Sequence, residues 1–357
     1  MPVTRDVWRI DRAGSLARLR RRAEDLPDPG PGEARVAVSA IGLNFADIFA
    51  CQGLYSATPA GPFVPGLEFA GRVEALGPPV VGDGGATREA SGLSPGDAVF
   101  GMTRFGAYAT ALNVDIRLLR RSPAAWHAVE AAAFPVQALT AWHGLVELGR
   151  LSRGEVTLVH SAAGGVGLNA LAILQAYGAR VVATVGRSSK RDLLVERCGL
   201  APAQVLVRDR RRFGRQLDAA LAHLGARGFD LVFDAVLGPF FTPAFRRLRP
   251  EGRHVVYGAA EYMATGSRPR YLRLAWRYLR RPTLDPLGLI DKNRSVLAFN
   301  LIWLFPRLDR LSAAYDAIAR IITHPPLVGR RFPFDAAPAA LGHLQSGESV
   351  GKVVLEV

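Results

Sequence analysis

Cysteine, lysine and methionine are what this sequence has least of. Two cysteines in 357 residues, Cys51 and Cys198, cannot build a disulfide framework, and they suit a reducing compartment. No apolar run approaches the roughly 20 residues that a membrane-crossing helix needs, and the best, residues 301–305, is far shorter. The N-terminus has no basic stretch followed by an apolar core, so no secretory signal is read there and a cytoplasmic location is expected. Lysine occurs only as Lys190, Lys292 and Lys352, so the formal charge of +14 is an arginine charge. The arginines are scattered, with short clusters at 18–22, 208–215 and 268–281. A basic balance can signal nucleic acid or an anionic membrane. Scatter of this kind reads instead as a solvated basic surface. No nucleic-acid partner is expected.

What is present points to a two-domain globular chain, with enough apolar content to bury a large core. The first 130 or so residues carry Gly, Pro and short strand-like runs at 34–40, 71–76 and 97–101, each bounded by turn residues. Residues 78–95 are poor in apolar side chains and read as an exposed loop. An alanine-rich helical stretch follows at 123–148. Beyond Glu155 the pattern changes to strands at 156–160, 181–185, 229–235 and 254–258, with a helix at 168–177. Strands alternating with helices predict right-handed βαβ units and a doubly wound parallel sheet covered on both faces. The tail holds an amphipathic helix at 311–322, a second short helix and a strand at 352–357. It is too small to fold alone and is expected to pack back onto the first module. The division is therefore residues 1–135 with 306–357, around a second unit at 136–305.

The strongest motif is Ala162-Ala163-Gly164-Gly165-Val166-Gly167, which follows a predicted strand and opens a predicted helix. Glycines let backbone approach a pyrophosphate, and the free N–H groups of the helix start bind its charge. The next strand discriminates between nicotinamides. An Asp or Glu at its end would hold a ribose 2′-hydroxyl, but residues 181–185 run into Gly186-Arg187-Ser188-Ser189-Lys190. Two cations stand where a 2′-phosphate would sit, and both side chains suit phosphate. The expected cofactor is NADPH.

Further motifs, in order along the chain, carry a family resemblance. They are residues 42–47 (Gly-Leu-Asn-Phe-Ala-Asp), 52–55 (Gln-Gly-Leu-Tyr), 65–71 (Pro-Gly-Leu-Glu-Phe-Ala-Gly), Leu139-Thr140-Ala141, the turn at 161–167 and the terminal Gly351-Lys352-Val353-Val354-Leu355. Together they resemble the zinc-free, quinone-oxidoreductase-like group of the medium-chain dehydrogenase/reductase superfamily. Residues 293–301 look most like its vesicle amine transport protein branch. The resemblance implies an α/β fold in which a Rossmann-type doubly wound parallel sheet joins a mostly β GroES-like catalytic domain. It also implies hydride transfer from NADPH to a quinone, enone, enoyl or similar small electrophile. Zinc-dependent members carry a Cys three residues before the motif Asp and a His before the motif Glu. Here those places hold Asn44 and Leu67, and the closely spaced cysteines of their structural zinc lobe are missing, so no metal is expected.

By the same resemblance, Asn44 would bond near the nicotinamide ribose, and Thr140, Gly164, Gly165 and Val166 would meet the pyrophosphate. Gly186, Lys190 and Arg208 would surround the 2′-phosphate, with Arg187 beside them. Gly258, Ala259, Phe299 and Leu301 would line the nicotinamide side, and Lys352 would reach back from the tail. Phe299 and Leu301 are equally explicable as core. Tyr55 stands where related enoyl thioester reductases have a proposed proton donor, and its rival role is an aromatic pocket wall. Cys51 reads as packing. A homodimer is expected, joined through the last strand of the coenzyme-binding sheet at about residues 295–300. An alternative is an NADPH-binding protein of little turnover acting at a membrane or partner surface, suggested by the basic, aromatic stretch 268–281. That stretch is expected to form an ordered, partly buried lid beside the cleft rather than a lipid anchor.

Overall fold

The computed structural model describes residues 3–81, 87–88, 92–263 and 266–357. Two sheets dominate. The first is parallel throughout, in the order Val205–Val207, Arg180–Val185, Val156–Val159, Phe229–Asp234, Leu248–Val256, Ser295–Ala298. Its middle strand, Val156–Val159, is buried at all four positions, as strands covered on both faces must be. Gly165–Ala176 and Phe213–His223 are among the covering helices and bury Ala170, Ile173, Leu217 and Leu221. The second sheet runs Val328–Pro333, Lys352–Glu356, Glu33–Gly42, Glu68–Leu76, Ala98–Met102, Leu119–Arg121, with Ala111–Asp115 also paired to Glu33–Gly42. The chain is thus an α/β protein with a Rossmann-type sheet and a GroES-like β module.

The tail completes the second sheet. Lys352–Glu356 pairs antiparallel with residues 40–42, so the last strand packs on the first module as its length required. Val328–Pro333, with glycine, two arginines and a terminal proline, was not legible as a strand. It lies at the sheet's edge, where proline is tolerated. The helical stretch at 123–148 is divided, into Ala128–Ala132 and then Pro135–Trp142 continued by His143–Leu148, because Pro135 starts a new helix more easily than it continues one. Part of the loop expected at 78–95, residues 82–86 and 89–91, lies outside the described residues.

One expectation is corrected in part. Residues 271–279 form an ordered helix, Tyr271–Leu279, in which only Leu274 and Arg277 are half-buried and none is fully buried. Leu272 is 91% exposed and Leu279 79%, so the segment is more exposed than a packed lid would be. Two of its aromatics are covered by neighbouring arginines, Arg280 lying 4.2 Å over Trp276 and Arg281 3.9 Å over Tyr278.

Candidate active site

Four charged or amide side chains from distant parts of the chain meet in the interior. Lys352 starts the terminal strand and is almost fully buried. Its Nζ lies 2.5 Å from Glu68 Oε1 and donates to Asn44 Oδ1 at 2.9 Å. Glu68 opens its strand after Gly66, whose φ of +99° and tight seat against Tyr108 exclude a side chain there. Its Oε1 also accepts from Asn44 Nδ2 at 2.9 Å, and its Oε2 accepts from the Val136 backbone N–H at 2.8 Å. Gln137 Nε2 donates to Asn44 Oδ1 at 2.7 Å. Both ends of the Asn44 amide are therefore engaged within the protein.

Asp47 lies beneath this group. It accepts the Asn44 backbone N–H at 2.8 Å and the Tyr108 hydroxyl at 3.1 Å, while its Oδ1 has no partner. Burial pushes its carboxyl up to about 7, against the pull of the Asn44 hydrogen bond and the Lys352 charge. Burial lowers the Lys352 ammonium, and the Glu68 carboxylate opposes that. An ammonium already sits between the oxygens of Asn44 and Glu68, and no thiolate or imidazole faces them in the contacts just described. Among the described residues, no three or more His, Cys, Asp or Glu side chains gather as a metal site.

Tyr55 reaches across from the first module, its hydroxyl donating to Asn300 Oδ1 at 2.8 Å. Burial raises its phenol to about 12, so it stays protonated. Thr140 turns its hydroxyl inward, donating to the Val136 carbonyl at 2.6 Å. Leu301 is buried with Trp126, Phe134 and Leu139, and Phe299 lies edge-on to His143 with ring centroids 4.7 Å apart. Both are packed side chains. Burial likewise pushes the Cys51 thiol well up, as packing rather than nucleophilic chemistry requires.

The glycine-rich turn stands where expected, between strand Val156–Val159 and helix Gly165–Ala176. Gly167 packs so tightly that a Cβ would fall 2.5 Å from Ala162, and one on Gly165 would fall 2.8 Å from Gln137 Oε1. Gly164 has open space beside it, since a Cβ there would meet nothing nearer than the Ser161 carbonyl oxygen at 3.4 Å. The tail crosses this turn, Gly351 N–H donating to the Ala163 carbonyl at 2.8 Å. Gly258 is pressed against Ala235, next to Ala259 at the end of the neighbouring strand.

Beyond strand Arg180–Val185, the three expected cations share one neighbourhood. Arg208 Nη1 donates to Thr184 Oγ1 at 3.1 Å and lies 5.5 Å over the Phe240 ring. A Cβ on Gly186 would come within 3.2 Å of the Arg208 guanidinium. Arg187 and Lys190 contact the tail: Arg187 Nη1 donates to Glu348 Oε1 at 3.1 Å, and Lys190 Nζ to the carbonyls of Gly347 and Ser349 at 2.7 and 2.6 Å. Burial, with Arg187 and Arg208 nearby, lowers the Lys190 ammonium to about 8. Glu68, Gln137, Asp47 and Asn300 were missed as site residues. Glu68, Asp47 and Asn300 had a signal, since all three stand inside quoted motifs, and Gln137 had none.

Comparison with known proteins agrees with this architecture. Residues 30–121 match the alcohol dehydrogenase GroES-like domain, and residues 208–355 match the zinc-binding dehydrogenase family. A human synaptic vesicle membrane protein VAT-1 homolog is 31% identical over 95% of this chain and 82% of its own length. A mycobacterial protein solved in complex with NADPH superposes with a TM-score of 0.82 at 27% identity, covering 99% of this chain and all of that one. A mycobacterial quinone oxidoreductase superposes with a TM-score of 0.77 at the same identity and coverage. The chain belongs to the medium-chain dehydrogenase/reductase superfamily, in its VAT-1-like branch.

Proposed function

We propose that this chain is a zinc-independent, NADPH-dependent oxidoreductase that delivers hydride to a quinone or another activated alkene or carbonyl. One observation carries the reading: Arg187, Lys190 and Arg208 gather beyond a coenzyme-type strand that ends without a carboxylate. The solved NADPH complex of the mycobacterial relative supports it. Gly164, Gly165 and Val166 would take the pyrophosphate on the helix start, with Thr140 alongside. The three cations would take the 2′-phosphate, and Gly258 and Ala259 would flank the nicotinamide.

NADPH supplies the hydride when bound, and the protein supplies orientation and exclusion of water. Tyr55 is neutral, with its proton held by Asn300. Quinones need little acid help, so this bond can stay. An enone or enoyl thioester needs a proton, and Tyr55 would have to leave Asn300 to give it. A panel of quinones, enones and enoyl thioesters with NADPH, followed at 340 nm, tests the reading. No NADPH oxidation across the panel would favour the second reading, a coenzyme-binding protein acting at a membrane or partner surface. The exposed Leu272, Trp276 and Leu279 among arginines support that alternative. We further propose a homodimer through the edge strand Ser295–Ala298, which among the described residues is paired along one side only.

A further inference from the structure

The cations assigned to the 2′-phosphate already have oxygen partners. Arg187 contacts the Glu348 carboxylate at 3.1 Å and the Ser346 carbonyl at 3.3 Å. Lys190 takes the carbonyls of Gly347 and Ser349. All four oxygens come from one short turn of the tail, residues 346–349, which precedes the strand carrying Lys352. The turn is tied at both ends. Upstream, Glu348 N–H donates to Ser346 Oγ, which itself donates to the His343 carbonyl. Downstream, Gly351 is fixed to Ala163 of the glycine-rich turn, and its φ of +56° and contact with the Leu327 carbonyl leave no room for a side chain.

We propose that residues 346–349 are a built-in competitor for the coenzyme's 2′-phosphate, with the Glu348 carboxylate holding Arg187 in the phosphate's place. The proposal rests on the 2′-phosphate reading above. A carboxylate and three carbonyl oxygens offer the two cations what phosphate oxygens would offer, in a single compact turn. The Arg187–Glu348 pair is half-exposed on both sides, and such pairs contribute little. A phosphate carries more charge and stronger acceptors, so it displaces the turn. NADH lacks that phosphate and leaves the turn in place. Glu348 therefore sets the NADPH affinity by what must be given up to bind it. Displacement also frees the tail from the coenzyme-side sheet at this contact, while Lys352 keeps its own anchor.

The test is a set of dissociation constants for NADPH, NADH and 2′,5′-ADP, measured by fluorescence titration. The proteins are the natural chain, Glu348→Gln, Arg187→Ala and the double variant. Glu348→Gln is expected to bind NADPH and 2′,5′-ADP about two- to fivefold more tightly, the scale of an exposed ion pair, with NADH unchanged. The gain should vanish in the Arg187→Ala background. Unchanged or weaker NADPH binding by Glu348→Gln, or an equal gain for NADH, overturns the competitor role. Equal binding of NADPH and NADH by the natural chain overturns the phosphate reading itself. A preference for NADPH without any gain in Glu348→Gln overturns only the competitor.

Discussion

Glu348 and Lys352 stand four residues apart on one tail, and their charges meet opposite fates. Lys352 enters a buried site, where Glu68, Asn44 and Gln137 satisfy one another. Glu348 stays half in solvent, its bond to Arg187 screened and exchangeable. Burial makes the first contact expensive to break, since a charge left alone in the interior costs far more than the pair contributes. Exposure makes the second easy to replace, which a coenzyme site needs. One short segment thus carries a fixed contact at one end and an exchangeable one at the other.

The comparison is broken most directly by removing the buried cation. Lys352→Met leaves Glu68 charged and unpaired, and is expected to cost about 3–5 kcal/mol of stability. Glu348→Gln should stay within about 0.5 kcal/mol. Thermal melting of both variants, side by side, is the check. Similar melting points would mean that solvent reaches the Lys352 site.

Asp47 sharpens the buried half through pH. Its carboxyl is raised from 3.8 to about 7, so between those values the folded chain binds this proton more strongly than the unfolded one. Stability from this group is therefore fully present below about pH 4 and is lost as pH rises towards 7 and beyond. The slope is at most about 1.4 kcal/mol per pH unit for one proton. Asp47→Asn should remove that fall from a series of melts between pH 4 and 8. An unchanged series would place the titration elsewhere.

Lys190 sharpens the exposed half. Losing one charge-assisted contact costs about 1.5–3 kcal/mol, so Lys190→Ala should weaken NADPH roughly tenfold or more and spare NADH. Equal losses would remove Lys190 from the phosphate site. In the free protein its ammonium titrates near 8, with Arg187, Arg208, Glu348 and His343 around it. A bound phosphate raises that value. The phosphate's contribution is then complete below about pH 8 and is lost as pH climbs through the higher value of the complex. NADPH affinity should fall between pH 8 and 10 relative to NADH, and the fall should be absent in Lys190→Ala.

How much of this was legible follows the same division. The glycine-rich turn is a local pattern, and it stands between the strand and the helix that its neighbours predict. The buried network joins residues 24, 93 and 308 positions apart, so no spacing rule could connect Asn44 with Glu68, Gln137 and Lys352. Asn44 was read as a coenzyme ligand, yet its side-chain amide is spent inside the protein. The strand Val205–Val207 was missed because three residues carry no period. The helix at 271–279 was not legible in its exposure, since a side-chain pattern says which residues share a face and not what covers it.

That helix gives the smallest expected effect. Leu272 and Leu279 are apolar side chains in solvent, so the folded chain gains almost nothing from them. Leu272→Ser with Leu279→Ser should shift stability by no more than about 0.5 kcal/mol per site, against several for the buried lysine. Melting at low protein concentration is the measurement, because dilution keeps any second copy away from the face. A fall of several degrees would show that these residues are covered in solution and that the exposed half of the molecule is smaller than described. Co-sedimentation with anionic vesicles at physiological salt separates the possible covers. Loss of binding in the double variant would assign the face to lipid and strengthen the second functional reading, whereas no binding by either form would leave catalysis as the reading to pursue.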